Sequence, residues 1–192
     1  MPPEPSGSDA PSSVLRAEHR VIERVLHVLD RLAARAADTA MLDLPDARKC
    51  VEFFRLFADA CHHAKEEDLL FPVLEQRGMP REGGPIGVML HEHRVAREFV
   101  RAMGEALDAV EAGNRDAGSR FCDAARQYID LLTQHIYKED NILFMMGDRI
   151  MQPADQQRLA GEFCAVGCRA FAGKTREQLE QLAAELTARW GQ

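Results

Sequence analysis

Aromatic residues make up only 6% of this 192-residue chain, with one Trp and two Tyr, and no alternating run of β-branched residues is long enough to read as a strand. A sheet-based fold is therefore not expected. Lys and Arg number 24 against 31 acidic residues, for a formal charge of −7, and they form no cluster. That balance argues against nucleic acid or an anionic membrane surface as a partner. No apolar stretch reaches the roughly 18 residues a membrane span needs, and nothing reads as a signal peptide. Cysteines are few and odd in number, five without the spacing of a disulfide framework, so the reducing cytoplasm is the expected compartment.

What is present is Ala, Leu, Glu and Arg, a composition that forms helices, in a chain long enough to bury roughly 70% of its unfolded surface around one core. The Pro/Ser/Gly-rich residues 1–12 predict a disordered arm, residues 13–150 a bundle, and residues 151–192 a helical extension. In the bundle, helix 1 carries the row Leu15, His19, Ile22, Leu26 and Leu29 and ends near Asp38. Helix 2 starts at Asp43-Leu44-Pro45 and stops near Gly78. Helix 3 opens at Pro85, carries Ile86, Leu90, His93, Ala96, Val100, Met103 and Leu107, and ends at Gly113. Helix 4 carries Phe121, Ala125, Tyr128, Leu132, His135, Glu139, Ile142 and Met146. Short connections between four long helices favour an all-α, antiparallel up-down-up-down four-helix bundle.

One pattern is repeated. The tetrapeptide EHRV occurs at Glu18–Val21 and at Glu92–Val95, and HHAKEEDLLF from His62 is matched by HIYKEDNILF from His135, at offsets of 74 and 73 residues. In helices 1 and 3 the histidine lies early, and in helices 2 and 4 the His-x-x-x-Glu lies late. Antiparallel neighbours bring those positions to one level. Residues four apart share a helix face, so each His-x-x-x-Glu presents an imidazole and a carboxylate to one point.

Four imidazoles and two carboxylates in an apolar core would be strongly destabilising without compensation, and a metal supplies it. A nitrogen and oxygen donor set without thiolate suits iron, manganese or zinc. Six ligands exceed the roughly four of a tetrahedral zinc. With both glutamates bridging, the protein fills about eight of roughly twelve positions on two six-coordinate ions. An oxo or hydroxo bridge takes two more, leaving about two for a small ligand.

The repeat also selects among alternatives. His62/Glu66 and His63/Glu67 are both i, i+4 pairs, and the apolar row Leu56, Ala60, Leu70, Leu74 favours the second. Aligning Lys65 with Lys138 and Leu70-Phe71 with Leu143-Phe144 selects the first. His63 stays open as a fifth imidazole on one ion. His93, not His91, matches His19, and His91 reads as surface or a supporting group. His27 has no partner in the repeat and reads as structural.

These motifs resemble the hemerythrin-like HHE cation-binding family, over about residues 12–150. The resemblance implies a non-haem di-iron bundle with His19, His62, Glu66, His93, His135 and Glu139 as ligands and both glutamates bridging, with manganese or zinc as substitutes. HHAKEEDLLFP, PIGVML and HIYKEDNILF also resemble the di-iron domain of bacterial proteins that repair iron-sulfur centres, whose short cysteine-bearing N-terminal domain has no counterpart here. Oxygen-carrying members place two histidines four apart on the third helix, where this chain has Arg97 four residues after His93.

The function expected is binding of, or reaction with, dioxygen, nitric oxide or peroxide in sensing or stress defence. The alternatives are a peroxidase or nitric oxide reductase-type enzyme and an iron-responsive interaction protein. No residue pattern separates binding from turnover, and no pocket for an organic molecule can be read. In the extension, Cys164 and Cys168 are expected as small buried side chains packing the tail, with a redox pair as the alternative. Cys61 is a candidate supporting group beside His62. The stripe Leu179, Leu182, Leu186 is expected to dock on the bundle or on a second copy, the latter giving a homodimer.

Overall fold

The computed structural model describes residues 10–39, 41–114 and 116–191. The regular structure of these residues is helical, and the nearest approach to a strand among them is an isolated bridge between Phe171 and Lys174. The expected N-terminal arm falls largely outside the described residues. Its last two positions correct the expectation: α1 (Pro11–Thr39) already begins at Pro11. A proline suits a first helical position because its missing N–H would be unpaired there anyway. Ser12 is buried, and its Oγ donates to Asp148 Oδ2 at 2.8 Å.

The second column starts with α2 (Leu44–Phe53), capped by Asp43, whose side chain accepts the Asp46 N–H at 3.2 Å. It continues through the π-helical segments π1 (Phe54–His63) and π2 (Glu66–Leu70) into α3 (Phe71–Gln76). The third is α4 (Pro85–Glu111). The fourth runs through α5 (Ala117–Lys138), π3 (Glu139–Leu143) and α6 (Phe144–Ile150). After it come α7 (Pro153–Gly167) and α8 (Arg176–Trp190). The α5 helix packs against both α1 and α4, α4 also meets α2 and π1, and α8 lies against α1 and α2. Among the described residues no helix is long and apolar enough to cross a membrane.

The π-helical segments change which side chains face inward. A π turn bonds i to i+5 and inserts a residue into the helical repeat. After Glu139 the buried positions are therefore Leu143, Phe144 and Gly147, and not the expected Ile142 and Met146, which are 46% and 41% exposed. In the second column π1 likewise breaks the row Leu56, Ala60, Leu70, Leu74: Ala60 is exposed, while Cys61, His62 and His63 are all buried. Two apolar clusters result. One holds Ile22, Phe57, Met103, Phe121 and Leu132, the other Leu15, Phe71, Ile86, Leu143 and Phe144, and the candidate ligands lie between them along the columns.

Gly104 sits inside α4, where a glycine costs a helix roughly 1 kcal/mol relative to alanine. A Cβ there would meet nothing nearer than Val51 Cγ1 at 4.0 Å.

The extension belongs to the same core. Leu179, Leu186 and Trp190 are buried in the first cluster with Leu182 packed beside it, so the leucine stripe docks on the bundle. The Trp190 Nε1–H donates to Asp46 Oδ2 at 2.7 Å, and the Arg35 guanidinium lies over its ring. Cys164 and Cys168 correct the expectation of buried packing residues, because both are exposed. The inward face of α7 is Asp155, Leu159, Phe163 and Val166, and a step of one residue turns a side chain by roughly 100°. Replacing Trp190 by alanine is expected to cost about 3 kcal/mol in chemical denaturation followed by circular dichroism. A loss below about 1 kcal/mol would show that the extension adds little to the fold.

Candidate metal centre

The early residues of α1 and α4 and the late residues of the second and fourth columns meet in one buried layer. Two tetrads form there, His63–Glu66–His93–His135 and His19–His62–Glu66–Glu139, each with ligand atoms within 4.8 Å of one another. All seven residues are at most 2% exposed. Glu66 belongs to both tetrads. Its Oε1 is 3.5 Å from His62 Nε2 and its Oε2 is 3.5 Å from His93 Nε2. Glu139 also spans them, with Oε2 at 3.2 Å from both His19 Nε2 and His135 Nε2 and Oε1 at 4.0 Å from His93 Nε2. The structure thus brings together all six residues of the repeat and His63 with them. His27 and His91 are exposed and stand apart.

Behind this layer lies a second one that the sequence pattern contained but that was not read from it. His19 Nδ1 is 2.8 Å from Asp140 Oδ1, and His93 Nδ1 is 2.7 Å from Glu67 Oε1. His62 Nδ1 and His135 Nδ1 are each 3.0 Å from a carboxylate, that of Glu18 and of Glu92 respectively. Glu18 also takes the Lys65 ammonium, and Glu92 that of Lys138. Phe144 stacks on His19 and Phe71 on His93, at interplanar angles of 11° and 17°. The matched histidines, their supporting carboxylates, the lysines and the phenylalanines therefore do the same job in both halves. An ionised carboxylate only accepts, so each Nδ1 is the donor, and in the neutral ring Nε2 keeps its lone pair facing inward, the tautomer a metal-ligating histidine needs. The signal that marked these acids was their place in the repeat, Glu18 and Glu92 in EHRV, Glu67 and Asp140 after the paired glutamates.

The layer is electrostatically incomplete on protein atoms alone. Both oxygens of Glu66 and of Glu139, and His19 Nε2, are buried without a hydrogen-bond partner among the described residues. His93 Nε2 and His135 Nε2 face each other at 3.2 Å. Burial, reinforced by Glu139, pushes the Glu66 carboxyl well above its ordinary range. Burial acts the same way on Glu139, but His135 and His19 outweigh it and hold that carboxyl well down. Burial, with His63 beside it, takes His93 down to about 3. His135 is driven the other way, to about 9, because Glu139 and Glu92 overcome its burial. Converging lone pairs and orphaned carboxylate oxygens fit cations, and the oxygen and imidazole donors suit a borderline divalent or trivalent metal.

The model of the hemerythrin HHE cation-binding domain matches residues 10–146. The chain belongs to this family. It is 37% identical over 92 residues to the iron-sulfur cluster repair protein YtfE of Edwardsiella ictaluri, a match covering 43% of this chain and 38% of that protein. It is 31% identical over 139 residues to the iron-sulfur cluster repair protein DnrN of Neisseria gonorrhoeae, covering 68% of this chain and 85% of the relative. The chain thus spans well under half the length of the YtfE relative.

The two halves of this HHE site are not equivalent. His63 adds an imidazole to one tetrad, whereas the matching position in the other half is the buried, apolar Ile136. His63 Nδ1 faces Asp59 at 3.4 Å, and Arg97 joins Asp59 to Glu67 through contacts of 2.7 and 2.8 Å. Arg97 therefore braces the carboxylates beside His63 and His93. On the other side Arg176, at the start of α8, comes within 3.5 Å of Glu18 Oε1, and Glu18 is fully buried where Glu92 is partly exposed. Burial alone would raise the Glu18 carboxyl, but His62 and Lys65 hold it down at about 2. Cys61 is buried beside the same group, its thiol raised by burial and lowered in part by Lys65.

Glu66→Ala and Glu139→Ala are expected to purify with less than half the metal of the parent protein, and Glu67→Ala, which meets the candidate ligands only through His93 Nδ1, to keep most of it. Elemental analysis decides this, and a full site in Glu66→Ala would overturn the shared-carboxylate geometry. Stripping the cation with a chelator should lower the midpoint of thermal unfolding by about 10 °C in calorimetry, the shift that roughly 4 kcal/mol of linked binding produces. An unchanged midpoint would mean that the layer is held without a cation.

Proposed function

We propose that the chain is a non-haem di-iron protein of stress defence, which binds or reacts with dioxygen, nitric oxide or peroxide. The observation that carries this reading is the sharing of Glu66 between two buried tetrads, since one carboxylate between two donor sets is what two neighbouring ions require. With His63 counted and both glutamates bridging, protein atoms fill roughly nine of about twelve positions, leaving room for a small ligand. Iron bound there would supply reversible electron transfer and ligand exchange. The protein's part is to hold four imidazoles by their outer nitrogens, with His63 beside Asp59, to keep Glu66 and Glu139 without other partners, and to exclude water with Phe71 and Phe144.

In this reading the four columns run up-down-up-down, residues 13–150 form the bundle, and residues 151–192 brace it. The repair of iron-sulfur clusters, for which the two relatives are named, is a form of stress defence in which such a centre can serve. Five unpaired thiols suit a reducing, cytoplasmic setting.

Protein purified in air is expected to contain about two irons per chain, and a single zinc would refute the assignment. The reduced protein should change its visible spectrum with dioxygen or nitric oxide. Stopped-flow absorption then separates the roles, because a carrier or sensor reverses when the gas is removed, whereas an enzyme consumes successive equivalents of peroxide or nitric oxide when a reductant is supplied. A reduced protein inert to all three ligands would leave only a structural or iron-responsive role.

A further inference from the structure

A cavity of about 270 Å³ lies between the second, third and fourth columns, against the three-imidazole tetrad. Its walls are mostly apolar, from Val51, Phe54, Ala96 and Val100, and of that tetrad His63 alone lines it. Two features mark it as built. Gly104, in the middle of α4, leaves the space open where almost any other residue would fill it, at a cost to the helix. Tyr128, 1% exposed and fixed edge-to-face on Phe54 at 4.8 Å, lines the cavity with a hydroxyl that has no hydrogen-bond partner among the described residues. A hydroxyl left open toward a cavity can take its hydrogen-bond partner from whatever occupies that cavity.

We propose that this cavity binds a small, uncharged organic molecule, a single ring or branched alkyl group carrying one hydroxyl-type oxygen, with Tyr128 donating to that oxygen. The volume is nearly twice the roughly 150 Å³ of an apolar cavity that accepts benzene, which allows a ring with a short substituent. A neutral ligand follows from the charges. Arg97 is committed to Asp59 and Glu67, and Arg55 and Arg101 stand exposed at the mouth, where ion pairing is weak. Burial and the neighbouring Asp59 raise the Tyr128 phenol well above its ordinary range and so keep it a donor. Of the candidate metal ligands only His63 lines the cavity, which therefore lies beside the metal layer rather than within it. A bound molecule would rest on His63 and on Asp59, and so against the support of the three-imidazole half.

The test uses the full chain as purified, whichever metal it carries, with 2-phenyl-2-propanol as probe and isopropylbenzene as its hydroxyl-free counterpart, followed by calorimetry and saturation-transfer NMR. Both should bind saturably at one site. Gly104→Leu, which fills the cavity with a better helix former, should weaken both at least tenfold while circular dichroism stays unchanged. Tyr128→Phe should weaken the alcohol roughly three- to tenfold, the worth of one hydrogen bond, and leave isopropylbenzene unaffected. Absence of saturable binding to the parent protein, or equal binding by Gly104→Leu, would identify the cavity as a packing void and overturn the proposal. Should Gly104→Leu fail to fold, the difference between the two probes in Tyr128→Phe decides alone. A protein that proves to hold zinc would refute the di-iron reading and leave this outcome untouched.

Discussion

The hydrogen bond from an imidazole Nδ1 to a carboxylate is the interaction on which the rest of the molecule depends. It fixes which ring nitrogen carries the proton, turns the free lone pair inward, and ties each column to another: Glu18 of α1 to His62 of π1, Glu92 of α4 to His135 of α5, Glu67 of π2 to His93 of α4, and Asp140 of π3 to His19 of α1. The columns are thus cross-linked at the level where the chain is least apolar. Without those bonds the layer would be a seam of unsatisfied groups between two hydrophobic clusters.

The π-helical segments serve the same layer. In an unbroken α-helix His62 and Glu66 would share a face, but the rows above and below would drift from the one demanded by the core. An inserted residue at Glu66–Leu70 and again at Glu139–Leu143 resets the register, so that Phe71 and Phe144 come over the opposite histidines. The local loss of α-helical bonding is confined to places where other groups compensate for it.

Much of this was legible in the amino-acid sequence because it was written twice. Six residues of the layer follow from the repeat, and so does the choice of Glu66 over Glu67, which the apolar row opposed. The row failed because 3.6-residue periodicity does not hold through π1, and the same cause put Ile142 and Met146 on the wrong face. His63 could not be settled by repetition, since its counterpart is Ile136. Its placement depends on how three columns meet, as does the cavity beside it, where one helix supplies the gap at Gly104 and another the hydroxyl of Tyr128. The exposure of Cys164 and Cys168 was missed for a simpler reason: a spacing of four says that two residues share a face, not which face it is.

Arg176 gives the C-terminal extension a role in time as well as in space. Ribosomes release the N-terminal end first, so Glu18, His19, His62 and every other member of the metal layer emerge before the guanidinium that approaches Glu18. While the last helix is still being made, the carboxylate behind His62 has its lysine but lacks its arginine, and the first apolar cluster lacks Leu179, Leu186 and Trp190. The support behind His62 in the two-imidazole half is therefore completed only once α8 has been made and has docked on the bundle.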